Sequence, residues 1–445
     1  MKPSPLSFPI PPCWQPKLEC MDPAERAELQ LRRFQKLLLR VHQCVPFYTD
    51  ALDASKIAPA SITSLEQLQT LPFTTKNDLR ENYPLGFLAV SRKNVIRYHG
   101  SSGTTGKPTF VAYSRDDIRM WSDLCARFLT SGGLTPHHTA QVAFGYGLFT
   151  GGFGLHYGIE RVGAGVVPVS SGNTEKQLTI LKDLRVDALI ATPSYTLKLI
   201  EALRERDIDP RSLRLSLAFL GGEPWTEDMR RHIEDALSIN ATNNYGLSEV
   251  IGPGVSGECH HKNGMHIQED HFIVEVINPD TLEPVPDGEP GELVFTTLTK
   301  EAMPLIRYRT RDIASITREP CPCGRTTARM SRVTGRTDDM LIIRGVNVFP
   351  TQIEEALLRV PGLAPHFHIE LTRPGALDEV TLHVELTPEI FSDSMREMQA
   401  LRQKIQAAVL AVTGLSATVA LNAPKTLQRF EGKASRVTDN RGLGC

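Results

Sequence analysis

Between residues 175 and 240 the apolar residues change period repeatedly. Leu178, Leu181 and Leu184 recur at helical spacing, 188–191 is an unbroken apolar run, and Leu199, Ile200 and Leu203 return to helical spacing. A second strand is marked over 213–220 by Leu213 and Leu215 and the apolar stretch 217–220, and Met229, Ile233 and Leu237 mark a further helix. Apolar runs this short, bounded by helical segments, read as strands covered on both faces, with the helices as crossovers. Strand, crossover helix and strand close most readily as a parallel sheet, so the chain is predicted to be α/β. From about 266 to 316 short strands and turns follow, as in Val285-Pro286-Asp287-Gly288-Glu289-Pro290-Gly291, which predicts a β-rich subdomain.

A chain of 445 residues exceeds what one core usually organises. The last stretch carries helices near 351–360 and 394–412 and strands near 367–372, 380–386 and 417–422, a compact α+β module of its own. We therefore expect a large domain over 1–337 and a small one over 338–445. Near the start, Asp22-Pro23-Ala24-Glu25 combines a cap, a first-turn proline and an acid, and Phe34, Leu37, Leu38, Val41 and Val45 form one stripe; a long packed helix is expected.

The composition, 41% hydrophobic and 22% charged with a formal charge of −2, suggests neither a nucleic-acid partner nor a membrane patch. Met1-Lys2-Pro3-Ser4-Pro5 runs into prolines instead of an apolar signal core, and no apolar run is long enough for a bilayer, so a cytoplasmic location is expected. Eight cysteines are too sparse for a disulfide framework, and Cys13, Cys20, Cys44, Cys125 and Cys445 are expected to be small buried apolar residues. Cys321-Pro322-Cys323-Gly324 differs, because two thiols one residue apart before a turn glycine can share a metal ion. With Cys259 and His266 they form a candidate structural zinc set, for which His260 and His261 are rival ligands.

Tyr98-His99-Gly100-Ser101-Ser102-Gly103-Thr104-Thr105-Gly106-Lys107-Pro108 packs glycines, hydroxyls and a lysine into one loop. Such a loop can wrap phosphate oxygens with backbone N–H groups. It is not a Walker loop: Gly100 and Gly106 are one residue too far apart, and Pro108 stands where the magnesium-binding hydroxyl belongs.

The segment from Ser101 to Pro108 resembles the phosphate-gripping loop of the adenylate-forming (AMP-binding) superfamily. Further segments match that superfamily in order: Gly221-Gly222-Glu223, Asn244-Tyr245-Gly246-Leu247-Ser248-Glu249, Arg307-Tyr308-Arg309-Thr310-Arg311-Asp312, Gly335-Arg336-Thr337-Asp338-Asp339-Met340 and Glu431-Gly432-Lys433. Within it, Phe144-Gly145-Tyr146-Gly147-Leu148-Phe149-Thr150-Gly151-Gly152, the continuation Val250-Ile251-Gly252-Pro253-Gly254-Val255, Met340-Leu341-Ile342-Ile343-Arg344-Gly345-Val346-Asn347-Val348-Phe349-Pro350 and Arg429-Phe430-Glu431-Gly432-Lys433-Ala434 are similar to phenylacetate-CoA ligases.

The resemblance implies a large N-terminal adenylate-forming domain and a small mobile C-terminal domain hinged at Asp338. It implies an AMP-forming acid–thiol ligase that joins an aryl acid to coenzyme A through an acyl-adenylate, with ATP and Mg2+. Ser101, Ser102, Gly103, Thr104, Thr105, Gly106 and Lys107 would hold the β- and γ-phosphates. Gly222, Glu223 and Asn244 belong to the nucleotide set, Tyr245 would stack near the adenine, and Asp312 would take the ribose hydroxyls. Glu249 would help hold magnesium. Arg336 and Asn347 would contact the nucleotide, while Lys433 would neutralise charge between carboxylate and α-phosphate before the domain swings to admit CoA. Tyr146, Gly147, Phe149, Gly152, Ala191 and Pro193 would line a short slot suited to a flat ring and unsuited to a fatty acid. Phenylacetate is the default acid; benzoate, anthranilate and hydroxybenzoate, or transfer to a carrier protein instead of free CoA, are the alternatives. A homodimer is compatible with this reading.

Overall fold

A computed structural model describes residues 13–101, 108–344, 346–374, 377–391, 394–430 and 435–441, and of Asn347 the backbone alone. The described chain divides into two compact units. The first comprises 1–191, 213–222 and 240–332; the second comprises 192–212, 223–239 and 333–445. The second unit thus takes in two helical segments that the sequence reading assigns to the large domain.

In the first unit the helix Pro23–Cys44 starts where Asp22 accepts hydrogen bonds from the backbone N–H of Ala24 and Glu25, and it buries Phe34, Leu37, Leu38 and Val41. Among the described residues the main sheet has nine strands. Gly165–Val167, Thr139–Val142, Ala188–Ala191, Leu217–Gly221 and Asn240–Leu247 lie side by side and parallel, as the alternating periods predict. The strand expected over 213–220 begins only at Leu217, past the polar Arg214 and Ser216. Beyond Asn240–Leu247 the sheet turns antiparallel, because a short turn returns the chain as Gly252–Glu258.

Two helices pack closely by means of glycine. A Cβ on Gly158, in the helix Gly151–Val162, would stand 2.3 Å from Cys125 Cβ on the helix Arg115–Ser131, and one on Gly257 would stand 2.4 Å from Phe128 Cβ. Any larger residue would push these elements apart. On the same helix Arg127 is buried and makes a bidentate pair with Asp270, at 2.7 and 3.0 Å. The strands Phe272–Ile277, Gly291–Thr297 and Tyr308–Ala314 build the expected β-rich part as an antiparallel sheet.

In the second unit four strands lie in the order Thr418–Asn422, Glu379–Leu386, Leu363–Thr372 and Val437–Asp439. The helices Pro350–Leu358 and Met395–Thr413 supply Ile353, Leu357, Leu401, Ile405 and Val409 to a core completed by Ile369, Leu371, Leu382 and Val384. Among the described residues no helix is long and apolar enough to cross a membrane.

Candidate active site

The strands Val95–Ser101 and Thr109–Ser114, which flank the glycine-rich segment in the sequence, pair antiparallel. Ser101 is buried, and its hydroxyl has no hydrogen-bond partner among the described residues. The expected phosphate ligands Ser102, Gly103, Thr104, Thr105, Gly106 and Lys107 lie outside the described residues, as does Lys433.

The nucleotide segments of the first unit converge at the ends of adjacent parallel strands. Leu217–Gly221 runs into Gly222, whose φ of +83° suits glycine. Beside it, Asn244 Nδ2 donates to the Leu220 carbonyl at 2.9 Å, which turns the amide inward and leaves Tyr245 to face the next layer. The Tyr245 hydroxyl donates to Asp312 Oδ2 at 2.7 Å, and its ring stacks on Phe295 with centroids 6.1 Å apart. Residues 67 apart in the chain are thereby joined into one polar group.

Glu249 follows on the turn after this strand and is buried. Its Oε1 meets Lys76 Nζ at 3.2 Å, while Lys300 Nζ donates to its backbone carbonyl at 3.0 Å. Complete burial, only partly countered by Asp117 and Glu249, lowers the Lys300 pKa to about 8. The Glu249 carboxylate is thus already paired with a cation. Neither lysine is singled out by the sequence, because only the fold brings them to Glu249.

Tyr146 is half-buried, meets His156 Nδ1 through its hydroxyl at 3.2 Å, and lies edge-on to Phe153 at 5.3 Å. His156 in turn meets Glu160 at 3.3 Å. Among the described residues no atom lies within 4 Å of where a Cβ on Gly147 would stand, and Phe149 is half-buried. Gly152 serves packing, since its Cβ position is only 2.7 Å from the Gly145 carbonyl oxygen. Ala191 ends its strand fully buried.

In the second unit Pro193 opens the helix Pro193–Glu205, with Thr192 as its cap. Glu223 Oε1 accepts from the Ser194 N–H at 2.7 Å, a further cap on the same helix end. Arg336 is not free to point anywhere: its Nε and Nη2 fork onto Asp338 at 2.9 and 3.2 Å, which ties one candidate nucleotide contact to the candidate hinge. The backbone of Asn347 pairs with Ile342 in the hairpin of Leu341–Ile343 and Val346–Val348. Arg344 Nε donates to the Asp378 carbonyl at 2.7 Å.

Away from these residues, Cys259, His266, Cys321 and Cys323 of the first unit bring their ligand atoms within 4.8 Å of one another. His260 and His261 stand outside this group. The Cys259 and Cys321 sulfurs are 3.8 Å apart, and Cys323 Sγ is 3.3 Å from His266 Nε2. Two thiolates on a tetrahedral zinc with Zn–S bonds of about 2.3 Å stand about 3.8 Å apart, so the spacing fits. His266 Nδ1 is held by Thr327 Oγ1 at 3.1 Å, which aims Nε2 at the thiols.

Residues 64–298 match the family model for AMP-binding enzymes, and 345–441 match that for the AMP-binding enzyme C-terminal domain. The chain is similar to phenylacetate-coenzyme A ligase of Thermus thermophilus, 47% identical across 96% of this chain and 99% of the relative. It is 45% identical to that of Escherichia coli, across 96% and 98%. A crystal structure of 2-hydroxyisobutyryl-CoA ligase in the postadenylation state superposes with a TM-score of 0.91 at 29% identity, covering 96% of this chain and 92% of that one.

Proposed function

We propose, from the premise that the chain belongs to the phenylacetate-CoA ligase family of AMP-binding enzymes and is an AMP-forming acyl-CoA ligase, that its acid is phenylacetate. The reaction runs in two steps. The phenylacetate carboxylate attacks the α-phosphorus of ATP, the bond to the β-phosphate oxygen breaks, and diphosphate leaves. The CoA thiol, giving up its proton, then attacks the carbonyl carbon of the adenylate and AMP leaves. A bare carboxylate resists the second attack because its charge repels the nucleophile and oxide is a poor leaving group; the adenylate removes both obstacles.

The acid is read from the 45–47% identity to phenylacetate-coenzyme A ligases over nearly the whole chain, and the adenylating half of the reading is carried by the 2.7 Å hydrogen bond between Tyr245 and Asp312, which sets a ring and an acceptor carboxylate side by side as a nucleoside needs. Asp312 takes the ribose hydroxyls through charge-assisted hydrogen bonds, Tyr245 lies against the adenine, and Gly222, Glu223 and Asn244 border it. Ser101 to Lys107 grip the outer phosphates. Glu249 holds magnesium, which when bound neutralises phosphate charge; Lys76 holds the carboxylate in place. Lys433 stabilises charge developing between carboxylate and α-phosphate, an interaction worth a few kcal/mol in preorganised sites. Arg336 and Asn347 complete the nucleotide contacts. The domain 338–445 turns at Asp338 between the half-reactions.

Tyr146, Gly147, Phe149, Ala191 and Pro193 shape the acid slot, and Gly152 contributes by letting the chain pack closely on Gly145. Zinc sits at Cys259, His266, Cys321 and Cys323 as a structural ion. Among the described residues the cysteines outside this set, Cys13, Cys20, Cys44 and Cys125, are unbridged, which suits the reducing cytoplasm where we place the enzyme. The test is CoA-dependent AMP formation across an acid panel. Phenylacetate should lead, and octanoate should be rejected, because each methylene left in water forgoes about 0.8 kcal/mol. Preference for an amino- or hydroxybenzoate would replace the substrate; octanoate turnover matching that of phenylacetate would overturn the slot.

A further inference from the structure

The stretch that leads to Lys433 is tied down by a guanidinium with every N–H in use. Glu385, on the strand Glu379–Leu386, has a side chain only 2% exposed. Its oxygens accept from the backbone N–H of Lys425 and Leu427 at 2.8 and 3.0 Å. They also accept from Arg429 Nη1 and Nη2 at 2.8 and 2.6 Å. Arg429 Nη1 spends its second hydrogen on the Leu427 carbonyl at 2.8 Å. The remaining edge, Nε and Nη2, meets Glu201 at 2.8 and 3.0 Å. Glu201 lies on the helix Pro193–Glu205, 228 residues earlier, and also receives His366 Nε2 at 2.7 Å. Burial opposes ionisation of Glu201, yet His366 and Arg429 hold its pKa down to about 2.

On the far side of Lys433 the chain is caught again. Arg436 pairs with buried Glu354 at 3.0 Å, its guanidinium lies 4.4 Å from the Phe367 ring centroid, and its carbonyl accepts from Ile369 N at 2.8 Å. A lysine side chain is long and flexible, so its placement is only as sharp as its backbone anchors. Arg429 is one such anchor, and its two carboxylate partners differ. Glu385 and Arg429 both belong to the stretch 345–441, whereas Glu201 belongs to 64–298. Rotation at Asp338 would keep the Glu385 half of the fork and break the Glu201 half.

We propose that Glu201, through Arg429, is a positioning residue for the adenylation step, which holds the stem of the lysine-bearing segment at its place of action; this rests on the reading of Lys433 given above. Glu385 shapes the stem itself in both half-reactions. A neighbouring pair supplies the contrast: Lys425 and Glu205 meet at 2.6 Å, but with side chains 65% and 44% exposed. Such a surface pair contributes little.

The experiment compares Glu201→Gln, Glu201→Asp, Glu205→Gln and Lys433→Ala in two assays, phenylacetate-dependent ATP–pyrophosphate exchange and thioester formation from supplied phenylacetyl-adenylate. Glu201→Gln should lower the exchange kcat by at least about tenfold, the loss expected for one charge-assisted bond, with KM values and thioester formation within about twofold of wild type. Glu201→Asp, which retracts the same charge, should fall between, and Glu205→Gln should match wild type. Exchange kept within about twofold in Glu201→Gln, or equal losses in both assays, overturns the positioning role. If Lys433→Ala itself keeps exchange, the reading of that lysine fails and this role falls with it; if only Glu201→Gln is silent, the lysine stands and the positioning role does not.

Discussion

Replacing Gly246 by alanine should separate two strands at the point where Tyr245 is aimed. Gly246 pairs opposite Pro253, and Leu247 opposite Gly252. A Cβ on Gly246 would stand 1.9 Å from the Gly252 carbonyl oxygen, 2.6 Å from its carbon and 2.7 Å from Pro253 Cα, all of them backbone atoms. Ordinary contact begins near 3.4 Å, so the strands must part there by about 1.5 Å. The Gly252 side is the stiffer one, since Trp121 Nε1 donates to the Pro253 carbonyl at 2.7 Å and the Trp121 ring lies directly behind Gly252. The shift therefore falls on Gly246 and carries Tyr245 away from Asp312. Overpacking of this kind costs about 1–3 kcal/mol of stability, and misplacing a substrate-orienting group by about 1 Å costs roughly a hundredfold in rate. ATP–pyrophosphate exchange should fall by about that factor with a raised KM for ATP, while circular dichroism at ambient temperature stays native. Exchange within about threefold of wild type would show that the Tyr245–Asp312 geometry does not govern adenylation.

Lys433→Ala should abolish acyl-adenylate formation while thioester formation from supplied adenylate survives; equal losses in single-turnover assays of the two steps would contradict its assignment to one orientation. Elemental analysis of protein purified without metal-affinity resin should find zinc, and Cys323→Ser should lower both zinc content and Tm; fully active wild type without zinc would leave the cysteines as packed thiols. Lys300 binds its proton less tightly in the folded state, at about 8 against 10.5, so between these values the unfolded chain holds more protons and the stability contribution of this group rises with pH. Denaturant midpoints of wild type relative to Lys300→Met should climb over that window and stay level below it; a flat difference would show that Lys300 is not desolvated.

What the sequence could disclose was whatever depends on near neighbours in the chain. The alternating periods of 175–240 and the Asp22 cap are local, and the sheet and the helix Pro23–Cys44 follow from them. The four candidate ligands at 259, 266, 321 and 323 could be chosen because few cysteines compete, and the fold brings all four together. The antiparallel return at Gly252–Glu258 was not legible, since Gly252-Pro253-Gly254 reads as a loop until packing against Trp121 is known. The charge partners were equally hidden. Lys76 meets Glu249, and Glu201 meets Arg429, across stretches of chain that carry no periodic signal, and an isolated acid on an exposed helix turn looks like any solvated one.

On this mechanism the acid is activated as phenylacetyl-adenylate. Phenylacetate labelled with heavy oxygen in its carboxylate, turned over with ATP and CoA and followed by mass spectrometry of the nucleotide, tests it most directly. The account predicts that label appears in AMP, carried over when the thiol displaces the carboxyl oxygen bound to the α-phosphorus. Label appearing in inorganic phosphate alongside ADP would mean that the carboxylate attacks the terminal phosphorus, and would contradict the account.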